Sequence, residues 1–286
     1  TVGACENRRP AFNSETYGKW WPGDYPVAPF RGDPMANDSA QIVAFSSRGP
    51  TRDGRSKPEV VAPGTFILST RSTQIAANNH AWAAFPPSKL YFHMGGTSMA
   101  TPLAAGAVGL IREYLRRQRR VRSPSAALLK ATLILGAQRL SGYAAAEAVL
   151  DNQQGFGRVD VDAVLAPDTP ATTEVRDVKP GLRTGELRRY LLRVKSNQVR
   201  LRVVLAYSDY PGPALVNNLN LVVTDPNGVR HVGNQTGTGL TMDTSNNVEV
   251  VQVRRPAAGT WTIEVVGSNV PQGPQPFALV WQAHLV

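Results

Sequence analysis

The chain has 286 residues, 42% of them hydrophobic and 18% charged, with a net charge of +10. That apolar fraction excludes intrinsic disorder, and the length suggests about two domains. A single cysteine, Cys5, excludes a disulfide framework and a cysteine-built zinc site.

Along the first part of the chain, short apolar runs alternate with Ala-rich helical stretches. Ile42-Val43-Ala44-Phe45 and Phe66-Ile67-Leu68 read as buried strands bounded by Gly and Pro. From about Met99 to Gln118 the pattern is helical, and the small residues Ala100, Ala104, Ala105, Gly106 and Ala107 predict a central helix packed closely on every side. The run from Met94 to Ile111 is uncharged but rich in Gly, Ala, Ser and Thr and broken by Pro102, so it makes a poor membrane span. Ser123-Pro124 reads as an N-cap with proline at the first helical position, ahead of an apolar helix over Ser125 to Ala137. Strands alternating with helices predict an α/β layer with parallel strands.

The charge surplus lies mostly before Pro167, with a cluster of arginines at 112, 116, 117, 119, 120 and 122. Such a cluster can hold a phosphate chain, or it can be the solvated end of a helix, where cations also complement the negative C-terminal dipole. No aromatic platform or nucleic-acid motif accompanies it, which favours the solvated end and disfavours nucleic acid as a partner.

The stretch from Leu165 to Pro180 reads as a linker, and beyond it helical periodicity disappears. Val199, Leu201, Val203 and Leu205 alternate with Arg200, Arg202, Val204 and Ala206, a strand with one buried face. Leu219 to Thr224, Val248 to Val253, Thr260 to Val266 and Phe277 to Leu285 repeat the texture, with turns at Asp225-Pro226-Asn227-Gly228 and Pro256-Ala257-Ala258-Gly259. Short strands at this spacing read as a sandwich or jelly roll.

Gly95-Gly96-Thr97-Ser98-Met99-Ala100-Thr101-Pro102 is the stretch with chemical content. Two glycines allow a tight turn and close approach of another backbone, and Ser98 then falls where a helix begins, at the positive end of its dipole. Free amides there can hold a developing oxyanion. Pro102 is expected in the first turn, where proline is tolerated. On these grounds Ser98 is a candidate nucleophile, part of an anion-binding turn, or the cap of a glycine-rich turn.

Gly-Thr-Ser-Met-Ala-Thr-Pro resembles the nucleophile motif of the subtilisin-like serine peptidases, the subtilases. Phe45 to Pro50, Lys57 to Gly64, Thr1 to Ala4 and Gly155 to Asp160 resemble further segments of that family's catalytic domain. Leu215 to Leu221, Asn246 to Glu249 and Asn269 to Phe277 resemble the jelly roll of its oxidatively stable alkaline protease branch. The resemblance implies an α/β fold: a partial parallel-sheet subtilisin-like domain over residues 1–166, then an all-β jelly-roll sandwich over 167–286. It implies a secreted serine endopeptidase that cuts a polypeptide substrate through an acyl-enzyme on Ser98. The family runs Asp, His, Ser along the chain, but His80, His93 and Asp53-Gly54 lack the family's surrounding motifs. With Thr1 rather than Met at the start, the expectation is a chain that lacks the N-terminal half of the catalytic domain and is inactive alone. A non-catalytic scaffold whose sandwich binds a partner is the alternative. On this reading the sandwich folds by itself, whereas residues 1–166 alone are marginal.

The related jelly rolls bind calcium, which takes six to eight oxygen ligands. Asp209, Asn218, Asn220, Asp225, Asn247 and Glu249 are the corresponding oxygen-bearing candidates, with the making of turns as the competing role for Asn and Asp. The aromatic stretch from Tyr17 to Phe30 either contacts substrate or covers a hydrophobic edge.

Overall fold

The computed structural model describes residues 1–141, 148–168, 170–235 and 240–286. The first part is built on two short parallel strands, β1 (Val2–Cys5) and β2 (Val60–Pro63), paired from Val2–Val60 to Cys5–Pro63. A one-turn helix α1 (Tyr17–Trp20) lies between them. An antiparallel sheet follows, of β3 (Ile67–Thr70), β4 (Ala83–Phe85) and β5 (Ser88–Met94), with β5 in the middle. Then come three helices, α2 (Thr97–Arg117), α3 (Ala126–Gly136) and α4 (Asp162–Leu165).

Ile42 to Phe45 does not form the expected strand. Ile42 makes a single bridge to Cys5, and Ser46 N–H then closes a turn on Val43 O, which steers the chain away. The segment is tied to β1 instead through Val43 N–H to Ala4 O and Ala4 N–H to Ser46 Oγ at 3.0 Å. The cap of α3 is Ser125 rather than Ser123: its hydroxyl accepts from Leu128 N–H at 3.0 Å.

α2 is not enclosed on every side. Ala100, Ala104, Ala107, Ile111, Tyr114 and Leu115 are buried, whereas Leu103, Ala105, Gly106, Gly109 and Leu110 are exposed. One stripe of the helix packs on β1, β2 and α3, and the other stands open.

The second part has two four-stranded antiparallel sheets. Its strands are β6 (Thr172–Leu182), β7 (Leu187–Val194), β8 (Leu201–Ala206), β9 (Asn218–Thr224), β10 (Arg230–Val232), β11 (Val248–Val253), β12 (Gly259–Asn269) and β13 (Gln275–Ala283). The sheet orders are β10-β9-β12-β7 and β11-β8-β13-β6. Much of the stretch read as a linker is therefore strand β6; Thr169 within it lies outside the described residues. β6 is an edge strand, where Pro180 costs no ladder bond that a neighbour needs. The facing sides enclose Leu201, Val203, Leu205, Leu219, Leu221, Trp261, Phe277 and Leu279.

β8 departs from the alternating reading, because both its faces are buried. Its second face, Val204 and Ala206, joins Val248 and Val250 of β11 and Ala278 and Val280 of β13 in one core with Leu128 and Leu135 of α3. The two parts thus share a core across α3. The seam also carries polar bonds from Arg202 to Ala137 O at 2.5 Å, Gln282 to Ala163 O at 2.9 Å and Ser125 N–H to Asp177 at 2.9 Å. Among the described residues no helix is long and apolar enough to cross a membrane.

Candidate active site

Ser98 stands exposed as the second residue of α2, in the turn that joins β5 to the helix. Gly96 caps the helix with φ of 129°, a left-handed conformation that side chains rarely adopt. Its amide donates to Gly64 O at 2.7 Å, so the residue that follows β2 holds the turn that precedes Ser98. Met99 and Ala100 N–H both turn back to Gly96 O. The Thr97 and Ser98 amides, ahead of the first helical carbonyl able to receive them, point out of the helix end. Ser98 Oγ has no hydrogen-bond partner among the described residues, so its lone pairs and proton are free.

Pro102 does not lie in the first turn. α2 begins at Thr97, which puts Pro102 sixth, and the amide that would have bonded to Ser98 O is missing. The carbonyl of the candidate nucleophile therefore lacks its i to i+4 helical bond.

Behind the turn lies an aromatic cluster that takes in part of the stretch from Tyr17 to Phe30, of which residues 26–30 are exposed. Tyr17 and Phe66 are buried, and Trp20, Trp21, Tyr25 and Phe45 pack with them. Trp82 joins this group, with its ring centroid 5.0 Å from Trp20 and 5.1 Å from Phe66, and lies against Gly95. Under the cluster, Tyr17 OH donates to buried Glu6 at 2.9 Å. Burial pushes the Glu6 carboxyl up to about 8; the Tyr17 bond opposes this and Asp33 adds to it.

No partner for Ser98 is found among the histidines and acids that sequence reading considered. His93 sits on β5, 7% exposed, edge-on to Phe12 at 4.8 Å and to Phe85 at 5.8 Å. Burial pushes its ring below the ordinary pKa. His80 is an exposed loop residue, and Asp53 closes a polar turn with Thr51 and Arg55. Neither histidine is bonded to Ser98 among the described residues.

All six oxygen-bearing residues of the sandwich engage in hydrogen bonds within the chain. Asp209 accepts from Val216 and Asn217 N–H, and Asn247 donates to Tyr207 O nearby. Asn220 donates to Asn218 and Ser268. Asp225 caps the turn at the far end of β9, roughly 20 Å from Asn218 at the rise of a strand. Glu249 is buried inside the sandwich, where Oε2 accepts from Leu221 N–H and Oε1 has no partner among the described residues. Burial, with the Leu221 bond opposing and Asp243 adding, raises its carboxyl well above the usual range, which favours a neutral acid. Asp225 therefore stands apart from Asn218, whereas Asn220 Oδ1, like Glu249 Oε1, is a buried oxygen without a partner among the described residues. Among the described residues no group of three or more His, Cys, Asp or Glu is placed to hold a metal.

The Subtilase family model matches residues 1–157. The serine protease/ABC transporter B family proteins tagA and tagB of Dictyostelium discoideum are 30% and 28% identical over 82% and 88% of this chain. Serine protease AprX of Bacillus subtilis is 43% identical over 27% of it. The chain spans only 15%, 17% and 17% of the lengths of these three relatives. The nucleophile-like turn lies within the matched segment, and the chain belongs to the subtilase family of serine peptidases.

Proposed function

We propose that this chain carries the nucleophile of a serine endopeptidase, with Ser98 Oγ attacking the carbonyl of a peptide bond. The observation that carries the reading is the exposed Ser98 hydroxyl at the start of α2, beside outward-pointing amides, in a chain of the subtilase family. The Ser98 N–H, at the positive end of the helix, stabilises the tetrahedral oxyanion. Collapse expels the amine and leaves an acyl-enzyme, which water hydrolyses. A neutral hydroxyl is a weak nucleophile, so the reaction needs a base within about 3 Å. Neither His93, packed among aromatic rings, nor His80 supplies it. His231, stacked on Trp261, and His284, bonded to Ser196, belong to the sandwich, so we place the base and its orienting carboxylate in polypeptide outside these 286 residues, and the isolated chain is accordingly inactive. Gly95, Gly96 and Gly64 shape the turn and take no chemical part.

Secretion belongs to the same family reading. The sandwich we take as a jelly roll, which the interleaved strand order of its two sheets supports.

Labelling by a fluorophosphonate probe in the full-length protein tests the assignment. Labelling that disappears in Ser98→Ala is the expected result. A full-length protein that takes no label, or takes it equally in Ser98→Ala, overturns it; absence of label favours a scaffold that does no chemistry.

A further inference from the structure

The sheet that leads into the Ser98 turn has a concave, unpaired surface. A hollow of about 330 Å³ opens over β4 and β5, with apolar walls from Phe85, Pro86, Pro87 and Tyr91. Arg71, His80 and Lys89 also line it, and no carboxylate does. Indeed no Asp or Glu occurs anywhere from Val60 to Arg112. Phe85 and Tyr91 meet edge to face at 6.4 Å, yet Tyr91 remains 43% exposed. The Arg71 guanidinium is oriented by bonds to Ile75 O at 3.1 Å and Ala76 O at 2.7 Å through one nitrogen, and its other nitrogens have no partner among the described residues. Lys89 has none either.

Cations without counter-ions beside exposed aromatic and proline rings complement a ligand that is both acidic and apolar. Position says which ligand. Tyr91 precedes Gly95 by four residues on an extended strand, or roughly 13 Å at 3.3 Å per residue. Both edges of β5 are paired, so an extended peptide lying over the open face of the sheet, from the hollow to the turn that presents Ser98, covers that span in about four residues.

We infer that this hollow is an accessory subsite for the polypeptide substrate, which takes a segment pairing an acidic with an aromatic or large aliphatic side chain about four residues from the scissile bond. The inference rests on the endopeptidase reading for its biological sense, but the binding it predicts does not require hydrolysis.

The test uses the full 286-residue chain carrying Ser98→Ala and two fluorescein-labelled ten-residue peptides. One contains Asp-Phe-Glu in an alanine-glycine background, and the other contains Lys-Phe-Lys. Fluorescence anisotropy is expected to show preferential binding of the acidic peptide, weakened at high salt. Lys89→Glu is expected to weaken it about fivefold, and Tyr91→Ala about tenfold. Equal binding of both peptides, no binding of either, or indifference to both substitutions overturns the subsite. The two readings fail separately. Acid-selective binding with no probe labelling in the full-length protein leaves the subsite standing without the peptidase, and labelling without acid-selective binding does the reverse.

Discussion

The six-membered ring of Trp82 lies against the backbone of Gly95, so that a Cβ built on this glycine would collide with it. The wall of the aromatic cluster and the turn that presents Ser98 are therefore one packing unit. Gly95→Ala is expected to displace the ring or the turn and to slow fluorophosphonate labelling of the full-length protein at least tenfold. Trp82→Ala removes the obstacle at a stability cost of about 3 kcal/mol. The double variant should label faster than Gly95→Ala alone. Simple additivity of the two losses would show that the contact does not matter.

Glu6 supplies a pH dependence. Its carboxyl is held near 8 in the folded chain by burial, above the ordinary value of 4.5. Folding therefore favours the protonated form. The stabilising effect is complete below about pH 4.5 and is lost as pH rises through about 8. Glu6→Gln keeps the Tyr17 contact without a titrating proton. Its Tm should fall less than that of the parent between pH 5 and 8.5, as followed by tryptophan fluorescence. Parallel Tm–pH curves for the two proteins would remove Glu6 as the cause.

The seam between α3 and the sandwich predicts cooperative unfolding. Val204 is fully buried on the outer face of β8, in the core it shares with Leu128 and Leu135. Val204→Asp puts an unpaired carboxylate there and should cost about 3 kcal/mol. Calorimetry is expected to show one transition for the whole chain, lowered by several degrees in the variant. Two separate transitions, only one of them shifted, would mean that the parts fold independently. The seam also argues against the expectation that the sandwich is self-sufficient, since alone it would expose Val204, Val248, Val250 and Val280.

The backbone bonds that already occupy Asp209 and Asp225, and the distance from Asp225 to Asn218, predict indifference to chelation. Incubation with EDTA should leave the Tm of the chain within about 1 °C of its value in calcium. A drop of several degrees that calcium restores and magnesium does not would place an ion among Asp209, Asn247 and their neighbours after all.

What could be read in the sequence was what depends on near neighbours along the chain. The turn at Gly95 and Gly96, the helix after Ser98 and strand β11 follow from residues within a few positions of one another. β6 was obscured because Pro170 and Pro180 suggest a linker, and an edge strand tolerates what a central one does not. Arg202 marked its face of β8 as wet, yet it is 2% exposed, because α3 covers it and Ala137 O accepts its guanidinium. The cover comes from 65 residues away, beyond the reach of any local pattern. The small residues of α2 signalled close packing correctly along one stripe. Glu6 gave no signal at all, since nothing in Cys5-Glu6-Asn7 announces a buried acid under a tyrosine 11 residues away.

The α3 seam has an inheritance as well as an energy. A sandwich borrowed from another member of the family would need side chains of matching size where β8, β11 and β13 meet the helix, and a donor for the carbonyl of Ala137. Natural recombination or laboratory grafting that exchanges the C-terminal sheets without α3 should yield mostly insoluble chimaeras, and a crossover placed before Ser125 should rescue them.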